Sequence, residues 1–285
     1  MPLADVGGHR IYYESHDATG GGGAGTPLLL IMGLGGSCRG WLPLQVPEFA
    51  KSRRTVIFDN RGVGESEDPG GPFSTADLAD DTAGLLAALQ IDRAHVLGAF
   101  LGGMVAQQLA LRHPERVDKL VLVGTYARPD TKRRLLLEQW KAMVSHGMAL
   151  EVHVNERVLW GLQDETLEQT NVLEPMMRFF RRDGVPIGDD VFVRQCDACL
   201  GHDLQDRLRE IRHPALVMCG RNDQLTPPRL HRALADEIPG ARLVTLTYGA
   251  HLIPAEAAPR FNEVVLEFLD EEPTGQASGG LRGRS

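Results

Sequence analysis

Short runs of unbroken apolar residues recur along the first half of the chain, each closed by a polar or glycine-bearing turn. "LLLIM" (Leu28–Met32), "RTVIFD" ending at Asp59, "VLGA" (Val96–Ala99) and "LVLVG" (Leu120–Gly124) predict short strands, with an earlier one through Ile11–Tyr13. Runs without alternation fit strands covered on both faces, as in a parallel sheet between helices. Between them the period changes. In "STADLADDTAGLLAALQI" Leu78, Leu85 and Leu89 share one helical face, Ser74 can cap the helix, and Asp77 stands in its first turn. A second helix is expected from Leu101 to about Arg112. The turn between the strands at Ile11–Tyr13 and Leu28–Met32, with glycines Gly20–Gly23, is expected to be a hairpin loop rather than a phosphate loop, because no helix follows it.

The strand–helix alternation stops near Ala127. Up to about Leu208 the chain is charged, rich in Met and Arg, and helical in period, as in "TKRRLLLEQWKAMVSHGM". Alternation then resumes with the strand "ALVMCG", a helix after Pro228, the strand "ARLVTL" and a helix through "RFNEVVLEFL". The expected organisation is an α/β core in two parts, 1–126 and 209–270, interrupted by a helical cap at 127–208 and followed by a small polar tail, 271–285, without a fold of its own. Met176, Met177, Phe179 and Phe180 fit either an apolar pocket wall or ordinary cap core, and Lys132–Arg134 reads as a solvated helix face.

Charge and composition narrow the function by exclusion. A net charge of −8 does not suit a general nucleic-acid binder. No apolar run is long enough to span a membrane, and the amino terminus lacks the pattern of a secretory signal. Four scattered cysteines fit a reducing compartment, so a cytoplasmic protein with a small-molecule substrate or ligand is expected; oligomeric state is not readable. No cofactor or metal is expected. Gly33-x-Gly35 lacks the third glycine and the uninterrupted helix of a dinucleotide site, and Cys196-x-x-Cys199 has no second cysteine pair.

The candidate chemistry centres on Gly98-Ala99-Phe100-Leu101-Gly102, which fits the nucleophile-elbow pattern G-x-S-x-G at every place except the serine. Glycines at both ends let strand and helix approach, and the central side chain is pushed out at the sheet's edge. Asp223 follows the strand "ALVMCG" and His251 follows "ARLVTL", so both stand at carboxyl ends of strands, where open α/β sheets gather ligand-binding groups. Their order along the chain, after the elbow, is that of nucleophile, acid and base.

These motifs, with "LLLIMGLGGS" and "FDNRGVGES" (Asp59, Arg61, Gly62, Gly64, Ser66), resemble the α/β-hydrolase superfamily from the amino terminus to about Asp270. The pattern is most similar to the small esterase, enol-lactonase and C–C-bond hydrolase branches. The resemblance implies a mostly parallel sheet flanked by helices with an inserted helical cap. It also implies Asp223 as acid, His251 as base, oxyanion amides at Leu34 and Leu101, and a small apolar ester, lactone or diketone as substrate. Two positions depart from it. Met32 stands where the family often carries histidine, and Phe100 stands at the nucleophile's place. Without a hydroxyl there is no acyl-enzyme, and loss of a serine nucleophile costs on the order of 10⁶ in kcat. Ser37, Cys38, Thr226 and Tyr248 lie near in the pattern, but none occupies the elbow. Three readings stay open: a hydrolase whose serine has been replaced, a non-covalent enzyme using the His251–Asp223 dyad, and a ligand-binding pseudohydrolase. Family members with lyase or oxygenase activity make the second conceivable.

Overall fold

A computed structural model of the chain describes residues 2–20, 25–178 and 187–272. Its strands are β1 (Leu3–Val6), β2 (His9–His16), β3 (Leu28–Ile31), β4 (Thr55–Phe58), β5 (Ala94–Ala99), β6 (Val117–Val123), β7 (Ala215–Gly220) and β8 (Arg242–Leu246). They form one sheet in the order β1-β2-β4-β3-β5-β6-β7-β8. Pairing is antiparallel from β1 through β2 to β4 and parallel from there on. The helices are α1 (Val46–Phe49), α2 (Thr75–Ala88), α3 (Leu101–Arg112), α4 (Thr131–Ser145), α5 (Leu150–Gly161), α6 (Asp164–Leu167), α7 (Thr170–Arg178), α8 (Asp189–Gly201), α9 (Pro228–Glu237), α10 (Ile253–Glu256) and α11 (Ala258–Asp270).

The unbroken apolar runs serve two cores at once, because successive side chains of a strand point to opposite faces. Leu29, Ile31, Val56, Phe58, Val96, Leu120, Leu122 and Val217 join the core shared with α2 and α3. Leu28, Leu30, Ile57, Leu97, Val121, Val123, Leu216 and Met218 face the other way, against Phe49 and against Phe261, Val265 and Phe268 of α11. Full burial of each such side chain contributes about 1.5–3 kcal/mol. The expected cap of α2 is present in full: Ser74 accepts from the Asp77 N–H, and Asp77 accepts from the Ser74 N–H.

Two expectations need correction. The segment after β2 is not a hairpin loop, because β4 lies between β2 and β3 in the sheet. Val56 and Ile57 of β4 are wholly buried and pair with a strand on each side, so the chain must cross over β4. The true hairpin joins β1, unforeseen in the sequence, to β2 through Gly7 and Gly8, both at positive φ. Within Lys132–Arg134, Arg133 is buried (3% exposed), while its neighbours are exposed. It lies on the inward stripe of α4 with Leu136, Leu137 and Trp140. The expectations for Gly21–Gly23, for Phe179 and Phe180, and for the tail beyond Glu272 lie outside the described residues.

Helices α4 to α8 all fall between β6 and β7. Leu252 donates to the Gly161 carbonyl at the end of α5 at 3.0 Å. The Gln163 side-chain oxygen accepts from the Gly249 N–H (2.8 Å) and from Asn222 (3.0 Å). Glu256 accepts from Gln163 N–H, Thr166 and Ala250 N–H. The inserted helices are thereby tied to the loops that follow β7 and β8.

Candidate active site

The turn between β5 and α3 is built on close backbone approach. A Cβ on Gly98 would stand 2.1 Å from the Gly102 carbonyl oxygen, and one on Gly102 would stand 2.1 Å from the Ile31 oxygen. Only hydrogen fits at either place. Between them Phe100 adopts φ 60° and ψ −118°. Gln90 is the other non-glycine residue with positive φ among the described residues. Such a backbone costs a bulky residue of order 1–3 kcal/mol and persists where the surroundings over-determine it. Here the Phe100 N–H donates to Val123 (2.9 Å) and its carbonyl accepts from Gly103 (3.1 Å).

The phenyl ring is wedged rather than free. Its atoms stand 2.4–2.9 Å from where a Gly33 Cβ would be and 2.8 Å from that of Gly124. It stacks on the imidazole of His251, with ring centroids 4.1 Å apart and planes 27° apart. Register puts Ile31 of β3 beside Gly98 of β5, so Gly33 and Leu34 leave the sheet next to Phe100 and Leu101. The ring therefore sits against the loop whose amides were expected to hold an oxyanion. Leu101 opens α3, where first-turn N–H groups lack a partner within the helix.

Asp223 and His251 come together from the loops that follow β7 and β8. Asp223 is 3% exposed, and its Oδ2 lies 3.0 Å from His251 Nδ1. Thr226 completes the arrangement: its N–H donates to Asp223 Oδ1 and its hydroxyl to Oδ2, both at 2.7 Å, and the hydroxyl lies 3.0 Å from His251 Nδ1. Burial pushes the Asp223 carboxyl up, but the neighbouring His251 charge and hydrogen bond, with help from Thr226, bring it below the ordinary carboxylate range. An ionised Asp223 fixes the proton on His251 Nδ1 and leaves Nε2 as the basic atom. Behind the pair, His231 is wholly buried and accepts from the Thr125 N–H through Nε2 at 3.1 Å. Desolvation lowers its pKa to about 4, so it stays neutral at neutral pH.

The loop after β3 is held from both sides. Below, Asp59 accepts from the Cys38 N–H (2.7 Å) and the Glu65 N–H (3.2 Å), the glycines Gly62 and Gly64 turn with positive φ, Ser66 donates to the Asp59 carbonyl (2.6 Å), and Arg61 forks onto Asp81 (2.6 Å to each oxygen). Above, Gln195 accepts from the Gly35 N–H and Arg157 donates to the Leu34 carbonyl, each at 2.8 Å. Met32 makes no such bond with its side chain; its thioether lies in the space beside Gly36 and Gly40.

A cavity of about 670 Å³ opens between these loops and the inserted helices. Gly33, Leu34, Phe100, Leu101, Gly124, Thr226 and His251 form its floor. Its roof comes from α4 (Arg133, Leu136, Leu137, Trp140), α5 (His153, Val154, Arg157, Val158) and α8 (Phe192, Cys199), with Met176 of α7 beside them. Met177 packs instead with Val154, Val158 and Leu162. Of the other residues near the elbow in sequence, Ser37 lines the cavity and Cys38 is buried with its thiol pushed up by desolvation. Thr226 is committed to Asp223, and Tyr248 turns away toward Thr166 and Gln169. Cys196 and Cys199 are buried thiols, and desolvation pushes Cys199 up to about 12. Among the described residues no cluster of three or more His, Cys, Asp or Glu could hold a metal ion. No helix among them is long and apolar enough to cross a membrane.

The family model for the alpha/beta hydrolase fold matches residues 26–258. The chain belongs to the α/β-hydrolase family. This α/β-hydrolase is 34% identical over 276 residues to the putative carbamate hydrolase RutD of Azorhizobium caulinodans, covering 95% of this chain and 99% of that protein. Among solved structures it is similar to the enol-lactonase of Burkholderia xenovorans LB400, with a TM-score of 0.85 and 30% identity over 95% of this chain and 100% of that one. A hydrolase of Pseudomonas aeruginosa PA01 gives the same TM-score, 0.85, at 30% identity, over 95% and 98% of the two chains. The fold expected from the sequence, a mostly parallel sheet flanked by helices, is the one observed, and the esterase- and lactonase-like character of the family is shared by these relatives.

Two contributors to this α/β-hydrolase's cavity were passed over in the sequence, His153 and Arg157. Both stand on the same stripe of α5 as Val154 and Val158, and charged or polar residues on an apolar stripe are the signal that would have found them.

Proposed function

We propose that the cavity binds a small, largely apolar carbonyl compound (an ester, lactone or diketone) and that this chain cannot process it through an acyl-enzyme. The observation that carries this reading is the Phe100 ring, stacked at 4.1 Å on His251 from a backbone with φ 60°. The strained elbow has the form that presents a nucleophile, yet what it presents is a ring without a lone pair. In this reading Asp223 orients His251, and His251 Nε2 takes a proton from water or from the substrate itself. The N–H groups of Leu34 and Leu101 serve as oxyanion donors, with Gly98 and Gly102 holding the elbow. Residues 127–208 act as one lid over a core made of 1–126 and 209–270. The relatives widen the range of acyl compounds worth testing to carbamates, since RutD proteins carry that name.

A second reading, a ligand-binding protein without turnover, is favoured by the wedging of the ring against Gly33, where a substrate carbonyl would approach Leu34. One set of assays separates them. The parent chain, Phe100→Ser and His251→Ala are compared on short p-nitrophenyl esters, lactones and carbamates. Phe100→Ser is expected to gain at least about a thousandfold in ester hydrolysis and to become labelled by a fluorophosphonate probe, which should leave the parent unlabelled. Turnover by the parent that His251→Ala abolishes supports the dyad, whereas binding without turnover supports the second reading. Labelling of the parent at any residue overturns the assignment of Phe100.

A further inference from the structure

Several hydrogen-bond donors in and behind the roof of the cavity have no acceptor among the described residues. Arg157 lines the cavity and spends one N–H group on the Leu34 carbonyl. No carboxylate lies within ion-pair distance of its guanidinium among the described residues, and Cys196 beside it is a buried thiol kept neutral by desolvation. Desolvation pulls the guanidinium down from its ordinary value. One turn earlier on α5, His153 also lines the cavity, is 5% exposed, and has a buried Nε2 without a hydrogen-bond partner. Both side chains meet on one ring: His153 stands edge-on to Phe192 at 4.5 Å, and the Arg157 guanidinium lies 5.7 Å from the same centroid. Gln195, one turn along α8 from Phe192, is wholly buried; its amide oxygen holds Gly35 and its Nε2 has no partner.

Buried polar groups without partners are costly, and a cluster of them around one void marks a place where a ligand completes the set. The signs agree. In a chain of net charge −8, the described cavity lining carries Arg133, Arg157 and Arg178 against a single acidic residue, Asp189, which is exposed. Arg133 is already paired with Asp130 at 2.9 Å and Arg178 is exposed, so among the described residues the charge deep in the roof without a counterion is Arg157.

We propose that Arg157 and His153 form an anion subsite that takes the carboxylate of a ligand whose apolar body fills the remaining cavity. A planar guanidinium offers two parallel donors to a carboxylate, and a neutral imidazole adds one more through Nε2–H. Deep in the roof Arg157 is the one guanidinium without a carboxylate partner among the described residues, and one guanidinium matches a monoanion better than a phosphate dianion. The subsite adjoins the loop of Leu34, so the acid group would lie near, but not at, the carbonyl handled by the floor. This inference rests on the reading of the cavity as the ligand site.

The test uses the purified full chain, with octanoate and octanamide as probes of equal length and different charge. Binding is read by calorimetry and by the fluorescence of Trp41 and Trp140, both of which line the cavity. Octanoate is expected to bind at least tenfold more tightly than octanamide. In Arg157→Gln that ratio should fall to within about twofold, and in Arg157→Lys it should remain above that of Arg157→Gln. His153→Leu should lower the ratio about threefold and serves as the second variant should Arg157→Gln not fold. Equal binding of both probes by the parent chain, or an unchanged ratio in folded Arg157→Gln, overturns the subsite while the cavity reading stands. Failure of both probes to bind overturns the cavity reading and the subsite with it. Tighter binding of octyl phosphate than of octanoate overturns the choice of carboxylate.

Discussion

The floor and the roof of the cavity are built on opposite terms. In the floor, the side-chain oxygens of Asp223 and Thr226 and the Nδ1 of His251 are bonded to one another. Glycines let the backbones meet almost without clearance. In the roof, His153 and Trp140 each leave a buried nitrogen without a hydrogen-bond partner, as Gln195 does behind it, and Arg157 holds a charge without a counterion among the described residues. A satisfied network rigidifies, whereas an unsatisfied one stores free energy that a bound group can release. The floor thus holds a fixed geometry, while the roof leaves donors open to a partner. Around Phe100 the glycine-framed turn, Asp223 and His251 stand together, with the phenyl ring stacked on the imidazole.

Substitutions can break this contrast, and the largest effect is expected in the floor. Gly102→Ala places a methyl group 2.1 Å from the Ile31 oxygen, where only backbone movement can make room. It should lower stability by about 4 kcal/mol or more, read by urea denaturation, beyond the range of ordinary single substitutions. A loss below about 1 kcal/mol would mean that the elbow can shift and is not a rigid frame.

Acid comes next. His153 and His202 in the inserted helices, and His95 and His231 in the core, are each lowered to about 4 by desolvation. Their unfolded value is near 6.5, so between pH 6.5 and 4 the unfolded chain binds more protons than the folded one. Their contribution is therefore intact above pH 6.5 and is lost as the pH falls through that window, at about 1–2 kcal/mol for each residue by pH 5. Imidazole NMR titration checks this and sharpens the contrast. Bound octanoate should raise the pKa of His153 in the roof and leave that of His231 beneath the floor unmoved.

Thr226→Val removes the hydroxyl that donates to Asp223 Oδ2 within a buried network. It should cost about 1–2 kcal/mol in urea denaturation and raise the pKa of Asp223, since a bond to the charged form is lost. Arg157→Met should have the smallest effect and the opposite sign. Replacing a half-buried cation that has no counterion among the described residues by an apolar side chain is expected to stabilise the empty protein by about 1 kcal/mol, a rise in Tm of a few degrees. The bond lost to the Leu34 carbonyl keeps the gain small. A fall in Tm would place Arg157 among the satisfied structural residues and erase the contrast.

Much of the floor was legible in the sequence because each of its parts is local. Strand, glycine, turn and helix succeed one another within a few residues at Gly98–Gly102, and Asp223 and His251 each follow directly on a strand. The hairpin expected after β2 failed for the opposite reason: which strand lies beside which is decided by pairing across the sheet, and β4 comes later in the chain. The reading of Lys132–Arg134 as a solvated face failed because charge was weighed above helical phase at Arg133. Thr226 reads in the sequence only as a neighbour of Asp223, although its N–H and its hydroxyl both donate to that carboxylate.

The sequence by itself determined the α/β-hydrolase frame, the order of Gly98–Gly102, Asp223 and His251, and the absence of a hydroxyl at Phe100, since these depend on residue identity and short-range spacing. Only the tertiary structure decided that the phenyl ring stacks on His251 and fills the space beside Gly33. It alone brought His153 and Arg157, from a helix some fifty residues past the elbow, over the same cavity. Contacts of that kind arise from the packing of distant segments, and no local pattern records which donors will be left without a partner once the packing is complete.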